Sequence, residues 1–235
     1  LAPPLDRSLI ADLPLFEGVP PEALDALLYD ARSTFYPRST PVFEQGAAAH
    51  SFFLLLHGRL RVTQVTSEGQ QIVVRFVSPG DIFGVAMALK RATYPGTATA
   101  VVDSLALVWP NGVWQSLTAK YPVLAINTLQ TIGGRLQEAH TRIREISTED
   151  VERRVAHTVL RLADEAGKDT GDGVLIDFPI SRQDIAEMTG TTLHTVSRVL
   201  SAWEAAGWVA GGRQRIVVRD RDRLQALADS TDESA

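Results

Sequence analysis

The sequence predicts an α+β chain in three parts: an antiparallel β-roll, one long amphipathic helix, and a compact helical unit closed by a hairpin. Three observations carry that expectation. Glycines at Gly46, Gly58, Gly69 and Gly80 recur at the spacing of short strands separated by turns. Apolar residues between Leu129 and Ile146 then switch to alternating steps of three and four. Finally, Ile180 to Val209 reads as two capped helices around a glycine, with a short apolar hairpin after it. The expected boundaries are 1–120 for the roll, 121–149 for the helix and hinge, and 150–235 for the C-terminal unit.

In the roll, strands should run from about Phe35 to Trp109. Leu60 and Val62 point inward, with Arg59, Arg61 and Thr63 outward, and the pattern repeats at Ile72, Val74 and Phe76 and at Ala98, Ala100 and Val102. Ser67-Glu68-Gly69 and Ser78-Pro79-Gly80-Asp81 supply the turn chemistry. With 235 residues the chain has enough length for two ordinary cores. A hydrophobic share of 45% with 22% charged residues fits a globular protein. The absence of cysteine excludes disulfides, thiolate metal sites and cysteine-ligated iron–sulfur clusters, and it suits a reducing cytosol. LAPPLDRSLIADLPLF has no basic segment followed by a long apolar run, and no stretch looks able to span a bilayer. The expectation is a cytoplasmic protein without a membrane partner.

The long helix carries its apolar residues at Leu129, Ile132, Leu136, Ala139, Ile143 and Ile146, an a/d heptad seam. Gln130, Arg135, Gln137, Glu138, Arg142, Arg144 and Glu145 make the flanking faces polar. So narrow a stripe suits a two-helix seam better than a helix lying on a domain, which predicts a parallel homodimer. Ser147 to Asp150 forms an N-cap-like cluster. A further helix follows through Val151, Val155, Val159, Leu160 and Leu162, then a loop from Lys168 to Gly173 and a short strand at Val174-Leu175-Ile176.

The run ISRQDIAEMTGTTLHTVSRVLSAWEAAGWV is the most informative. Ser181 caps a helix whose inner face is Ile185, Ala186 and Met188; Gly190 turns the chain; Thr191 or Thr192 caps the next helix. That helix buries Val196, Val199, Leu200 and Trp203 and presents His194, Ser197, Arg198 and Ser201 on the other side. This is the helix-turn-helix arrangement, whose second helix enters the DNA major groove. There Arg198 can donate twice to a guanine and Leu193 can meet a thymine methyl. WVAGGRQRIVV reads as a basic hairpin wing with Gly211-Gly212 at its tip. A net charge of −5 does not oppose this, because phosphate binding depends on where the cations sit. No catalytic constellation stands out, so an enzyme is not expected. A ligand-binding module acting through protein contacts is the alternative, and the outward Ser197-Arg198 pair and basic wing favour DNA over it.

FEQGAAAHSFFLLLHGRLRV, FVSPGDIFG, the heptad helix and ISRQDIAEMTG-TTLHTVSR together resemble the CRP/FNR family of bacterial transcription regulators, over nearly the whole chain. The resemblance implies a cyclic-nucleotide-binding-type β-roll, a dimerisation helix and a winged helix-turn-helix. It implies a homodimer on a near-palindromic double-stranded DNA operator, with RNA polymerase as a further partner. The DNA-binding set is then Ser181, Arg182, Thr192, Leu193, His194, Ser197, Arg198 and Arg213. The family's recognition helix often reads Glu-x-x-Ser-Arg. Ser197 and Arg198 keep the last two positions, while His194 replaces the glutamate and lacks its carboxylate acceptor.

The same resemblance locates an effector pocket at Val85, Ala86, Thr97, Ala98, Ala139 and His140. Cyclic-AMP-binding members place a glutamate after the roll glycine, Arg-Ser in the next loop and Thr-Ser on the dimer helix. Here Gly84 is followed by Val85, Gly96-Thr97 stand in place of Arg-Ser, and Ala139-His140 replace Thr-Ser. A buried phosphate without its cation lacks compensation worth on the order of several kcal/mol, so cyclic AMP is not the expected effector. Because imidazole ligates haem iron, His140, His50 and His57 leave a haem-based gas sensor of the same fold as an alternative that is not favoured. The identity of the effector stays open.

Overall fold

Each alternating stretch becomes a strand, and each of the four glycines between them takes a left-handed turn. The computed structural model describes residues 5–86 and 90–230. A helix not foreseen from the sequence, α1 (Pro21–Tyr29), precedes β1 (Arg32–Tyr36), β2 (Pro41–Phe43), β3 (Ser51–His57), β4 (Leu60–Val65) and β5 (Gln71–Val77). Then come β6 (Ile82–Phe83), β7 (Thr97–Ala100), β8 (Ser104–Pro110) and a second unforeseen helix, α2 (Asn111–Lys120). The strands form two antiparallel sheets, ordered β1–β8–β3–β6 and β2–β7–β4–β5. At Gly58, φ is +95° and a Cβ would lie 2.3 Å from Ser104 Oγ, so conformation and space both demand glycine.

Two apolar clusters hold this region. One joins α1 and α2 to the outer side of the first sheet through Leu24, Leu27, Leu54, Leu107 and Trp109. Trp109 is 1% exposed, donates its indole N–H to the Leu27 carbonyl at 2.7 Å, and stacks on Phe52 with centroids 5.2 Å apart. The other fills the space between the sheets with Phe53, Leu55, Leu60, Phe83, Tyr94 and Ala98, and Phe43 stacks on Tyr94 at 4.0 Å.

Strand alternation holds for Leu60, Ala98 and Ala100 but fails on the opposite face of β4. Arg59 and Thr63 are buried instead of outward: the Arg59 guanidinium donates to Ser78 Oγ, and its backbone N–H donates to Ser104 Oγ at 3.2 Å. In β5 the alternation also slips, with Ile72 exposed and Val73 and Val77 buried.

The chain divides into two compact units, Leu1–Val65 with Phe76–Ala139, and Thr66–Arg75 with His140–Ala235. A 27-residue helix, α3 (Pro122–Thr148), has residues in both. In the first unit α3 docks through Leu124, Asn127, Thr128 and Arg135. Asn127 donates to the carbonyls of Leu15 (2.9 Å) and Glu17 (2.8 Å), and Arg135 donates to the Ile82 carbonyl at 2.7 Å and pairs with Asp81. In the second unit, buried Glu145 pairs with Arg161 at 2.5 Å, and Arg142 donates to the Val74 carbonyl.

The second unit continues with α4 (Val151–Ala166), capped by Asp150, which accepts from the Arg153 amide at 3.0 Å. After it come β9 (Gly167–Asp169), β10 (Val174–Ile176), α5 (Arg182–Thr189), α6 (Leu193–Ala205), β11 (Val209–Gly212), β12 (Arg215–Val218) and α7 (Arg221–Ala228). The sheet order is β11–β12–β10–β9. The loop expected from Lys168 thus begins as a strand, with Gly167–Asp169 paired to Val174–Ile176. Gly167 permits this because a Cβ there would lie 2.1 Å from the Ala163 carbonyl oxygen.

Trp109→Ala removes the largest side chain joining the helices to the first sheet, and it should destabilise the chain by about 3–5 kcal/mol. Urea unfolding should show this as a lowered midpoint. A change below about 1 kcal/mol would mean the site collapses without loss.

Candidate nucleic-acid interface

Two local devices set the angle between α5 and α6. Ser181 and Asp184 form a reciprocal capping box: the Asp184 amide donates to Ser181 Oγ at 3.1 Å, and the Ser181 amide donates to Asp184 Oδ2 at 2.8 Å. Gly190 then ends α5 at φ 65° and ψ 38°, a left-handed geometry that reverses the chain within a few residues. Thr192, the second of the two expected candidates, caps α6 by accepting from the Thr195 amide at 3.2 Å. Thr189 is polar yet 2% exposed beside the turn, because its hydroxyl donates to the Ile185 carbonyl at 2.7 Å. Arg154 of α4 braces this turn, donating to the Thr189 carbonyl at 3.1 Å and to the Glu149 carbonyl at 2.6 Å.

The inner face of α6 is anchored by Val196, Val199, Leu200 and Trp203, and the Trp203 indole donates to Glu152 Oε1 at 2.9 Å. Its other face brings together Leu193, His194, Arg198 and Ser201, all exposed, with Ser197 half-buried beside them. Leu193 leaves 47% of its surface in water. Thr192 is exposed at the start of the helix.

The remaining predicted residues divide in their roles. Ser181 spends its hydroxyl within the capping box, where it also donates to Asp184 Oδ2 at 2.6 Å. Arg182 lies along α6, with its guanidinium 2.9 Å from Glu204 Oε1, 3.3 Å from Ser201 Oγ and 3.4 Å from the Ser197 carbonyl. Arg213 is exposed at the tip of the β11–β12 hairpin. That tip is Arg213-Gln214 and not Gly211-Gly212, since Gly212 pairs with Arg215 and Gln214 takes the positive φ of 58°. Arg219 is spent on an ion pair with Asp172 at 2.6 Å, whereas Arg198, Arg213 and Arg215 are exposed. Sequence reading missed Glu204. Its only signal was its place one turn beyond Leu200 on the helix that Arg182 flanks.

The expected effector residues have varied surroundings. Val85 packs with the α1–α2 cluster, while Ala86 and Ala98 belong to the cluster between the sheets. Thr97 accepts the Gln45 amide on its hydroxyl at 3.0 Å. Ala139 and His140 are exposed on α3, and His50 and His57 are exposed in the roll. A Cβ at Gly96 would lie 2.6 Å from the Thr63 carbonyl oxygen, so the backbone leaves no room for a side chain there. Burial raises the Tyr94 phenol above its ordinary value, against the opposing effect of its hydrogen bond to the Ser51 carbonyl at 2.8 Å. Among the described residues no group of three His, Cys, Asp or Glu side chains is placed to hold a metal ion, and no helix is long and apolar enough to cross a membrane.

Five of the six α3 seam positions are exposed. Leu129 is 69% exposed, Leu136 55%, Ile143 61% and Ile146 52%, with Ala139 also exposed and Ile132 half-buried. Ile126, one position off the heptad register, adds a further exposed side chain.

A roll, a long helix and a capped helix-turn-helix with a basic wing define a class of DNA-directed regulators, and known proteins agree. Residues 33–121 match the cyclic nucleotide-binding domain, and residues 153–227 match the Crp-like helix-turn-helix domain. The chain is 31% identical over 215 residues to the cyclic AMP receptor protein of Thermus thermophilus, covering 92% of this chain and 96% of that one. It is 23% identical over 220 residues to the CRP-like cAMP-activated global transcriptional regulator of Mycobacterium tuberculosis, covering 94% of this chain and 98% of that one. The fold is that of FixK2 from Bradyrhizobium japonicum, with a TM-score of 0.75 at 24% identity over 86% of this chain and 98% of that one. This chain belongs to the CRP/FNR family of transcription regulators.

Proposed function

We propose that the chain acts as a homodimer that reads a near-palindromic DNA operator with α6, under the control of an effector other than cyclic AMP. The observation that carries the DNA reading is the outer face of α6. Exposed Leu193, His194 and Arg198 stand on a helix whose inner face, cap and preceding turn are all fixed. Rigid placement of this kind lets a side chain select one base edge among several. Arg198 reads a guanine through two hydrogen bonds, and Leu193 meets a thymine methyl. Arg213 at the wing tip neutralises a phosphate and sets position without selecting sequence.

Dimerisation follows from the exposed stripe on α3. Water is a poor neighbour for Leu129, Leu136, Ile143 and Ile146, and a second copy of the same helix covers them symmetrically. Two-fold symmetry then puts the two α6 helices in successive major grooves, about 34–36 Å apart, which makes the operator a near-palindrome. Such a dimer works on chromosomal DNA in the cytoplasm and acts on transcription through RNA polymerase, with no catalysis of its own.

Two relatives are named for cyclic AMP, but the residues here argue against carrying that ligand over. Val85 offers no carboxylate for a ribose hydroxyl, and Ala139-His140 replaces a hydroxyl pair. Gly96 cannot be a cation in evolutionary disguise, because the Thr63 carbonyl stands where its side chain would begin. Calorimetric titration with cyclic AMP should therefore give no binding heat in the micromolar range. A saturable micromolar isotherm would establish a phosphate cradle built from other residues.

Selection of binding sites from random duplexes, at one fixed salt concentration, tests the reading helix. Arg198→Ala should lose roughly 1–3 kcal/mol at the recovered operator and relax preference at one guanine in each half-site. Arg213→Ala should weaken all duplexes alike and flatten the salt dependence by about one phosphate. Recovery of the same motif with equal affinity by Arg198→Ala would remove α6 from the role of reader.

A further inference from the structure

Arg182 is a cation beside the reading helix that is paired within the protein. Its guanidinium donates to Glu204 Oε1 at 2.9 Å, to Ser201 Oγ at 3.3 Å and to the Ser197 carbonyl at 3.4 Å. Arg182 and Glu204 are each about one-third exposed, 36% and 32%, so the pair borders water and is not sealed in the core. It lines an open groove of about 480 Å³ between α6 and the wing, together with Gly211, Arg213 and Arg215. A second observation bears on where the carboxylate sits. A Cβ built on Gly211 would stand 1.9 Å from Glu204 Oε1 and 2.9 Å from its carboxyl carbon. Gly211 has no positive φ, so backbone conformation does not require glycine there. The space it leaves is filled by the Glu204 carboxylate.

We propose that Glu204, whose carboxylate the side-chain-free Gly211 of the wing admits, is an internal counter-ion that withholds Arg182 from DNA phosphates and so sets the balance between specific and non-specific binding. The proposal rests on α6 being the DNA reader. A phosphate contact contributes affinity to every sequence alike, through release of counterions, whereas base contacts contribute only at the operator. Keeping Arg182 paired inside the protein removes one such contact. It lowers affinity for all duplexes and leaves base readout by Arg198 untouched. The wing thereby has two functions: it presents Arg213, and its glycine admits the Glu204 carboxylate.

The test uses the full-length chain and measures affinity for a scrambled-sequence duplex and for the selected operator across a salt series. Glu204→Gln keeps size and hydrogen-bonding capacity but loses the charge. It should bind the scrambled duplex several-fold more tightly and steepen the salt slope by about 0.9, the increment for one added phosphate. Gly211→Ala changes no charge but pushes the carboxylate from its place, and should show the same gain and the same steeper slope. In the Arg182→Gln background both gains should vanish, because there is no guanidinium left to release. An unchanged slope in Glu204→Gln overturns the proposal. So does a gain that persists without Arg182, which would reduce Glu204 to general charge repulsion. If the parent chain binds no duplex, the DNA reading itself fails. If it binds and depends on Arg198 while Glu204→Gln behaves as the parent, only the counter-ion fails. Thermal melts of each variant separate these results from a misfolded wing.

Discussion

A helix of 27 residues has to decide which of its faces meets the protein and which meets water, and α3 decides against ordinary amphipathicity. Its docking residues are largely polar: Asn127 and Arg135 donate to backbone carbonyls in the first unit, and in the second Arg142 donates to the Val74 carbonyl while the Glu145 carboxylate accepts from Arg161. Apart from buried Leu124 and half-buried Ile132, its large apolar residues from Leu129 to Ile146 are left outside. Burying a leucine or isoleucine side chain gains about 1.5–3 kcal/mol, so leaving four of them in water forgoes a sum comparable to the whole stability of a domain. The polar bonds also fix the helix rotation, since turning the stripe inward would strip Arg135 and Asn127 of their carbonyl partners. An outward stripe held by inward polar bonds is the surface that the proposed dimer uses, and the symmetric DNA reading proposed above rests on it.

The reading head depends on local chemistry to a degree the roll does not. Ser181, Asp184, Gly190 and Thr192 act within a few residues of themselves, through capping and one left-handed turn. Such signals survive in a bare sequence, which is why both helices, the turn between them and the outward Arg198 were legible before any coordinates. The strand-separating glycines were legible for the same reason. Gly58 also has a tertiary cause, the close approach of Ser104, which no local rule contains.

What sequence could not convey was long-range. Arg59 looked like an outward residue on an alternating strand, and its burial comes from Ser78, 19 positions away. Gly211-Gly212 looked like a hairpin tip because glycine favours turns. The register instead gives the tip to Arg213-Gln214, and Gly211 answers to a carboxylate on another element. α1 was legible but overlooked, with Pro21 at its start and Ala23, Leu24, Leu27 and Leu28 at helical spacing, whereas α2 buries only Leu117; both are held by packing in the cluster around Trp109. Among the effector positions that the resemblance named, Val85 packs in one apolar cluster and Ala86 and Ala98 in the other, a division that no motif encodes.

In the proposed dimer, everything from the operator's symmetry to the spacing of the reading heads descends from the exposed α3 stripe, and the oligomeric state tests that most directly. Light scattering on the purified chain should give a dimer, and Leu136→Glu with Ile143→Glu should give a folded monomer, because two carboxylates per helix would otherwise be buried unpaired in the seam. Circular dichroism should show the helix content retained. An intact dimer after both substitutions would contradict the account and place the contact between copies elsewhere.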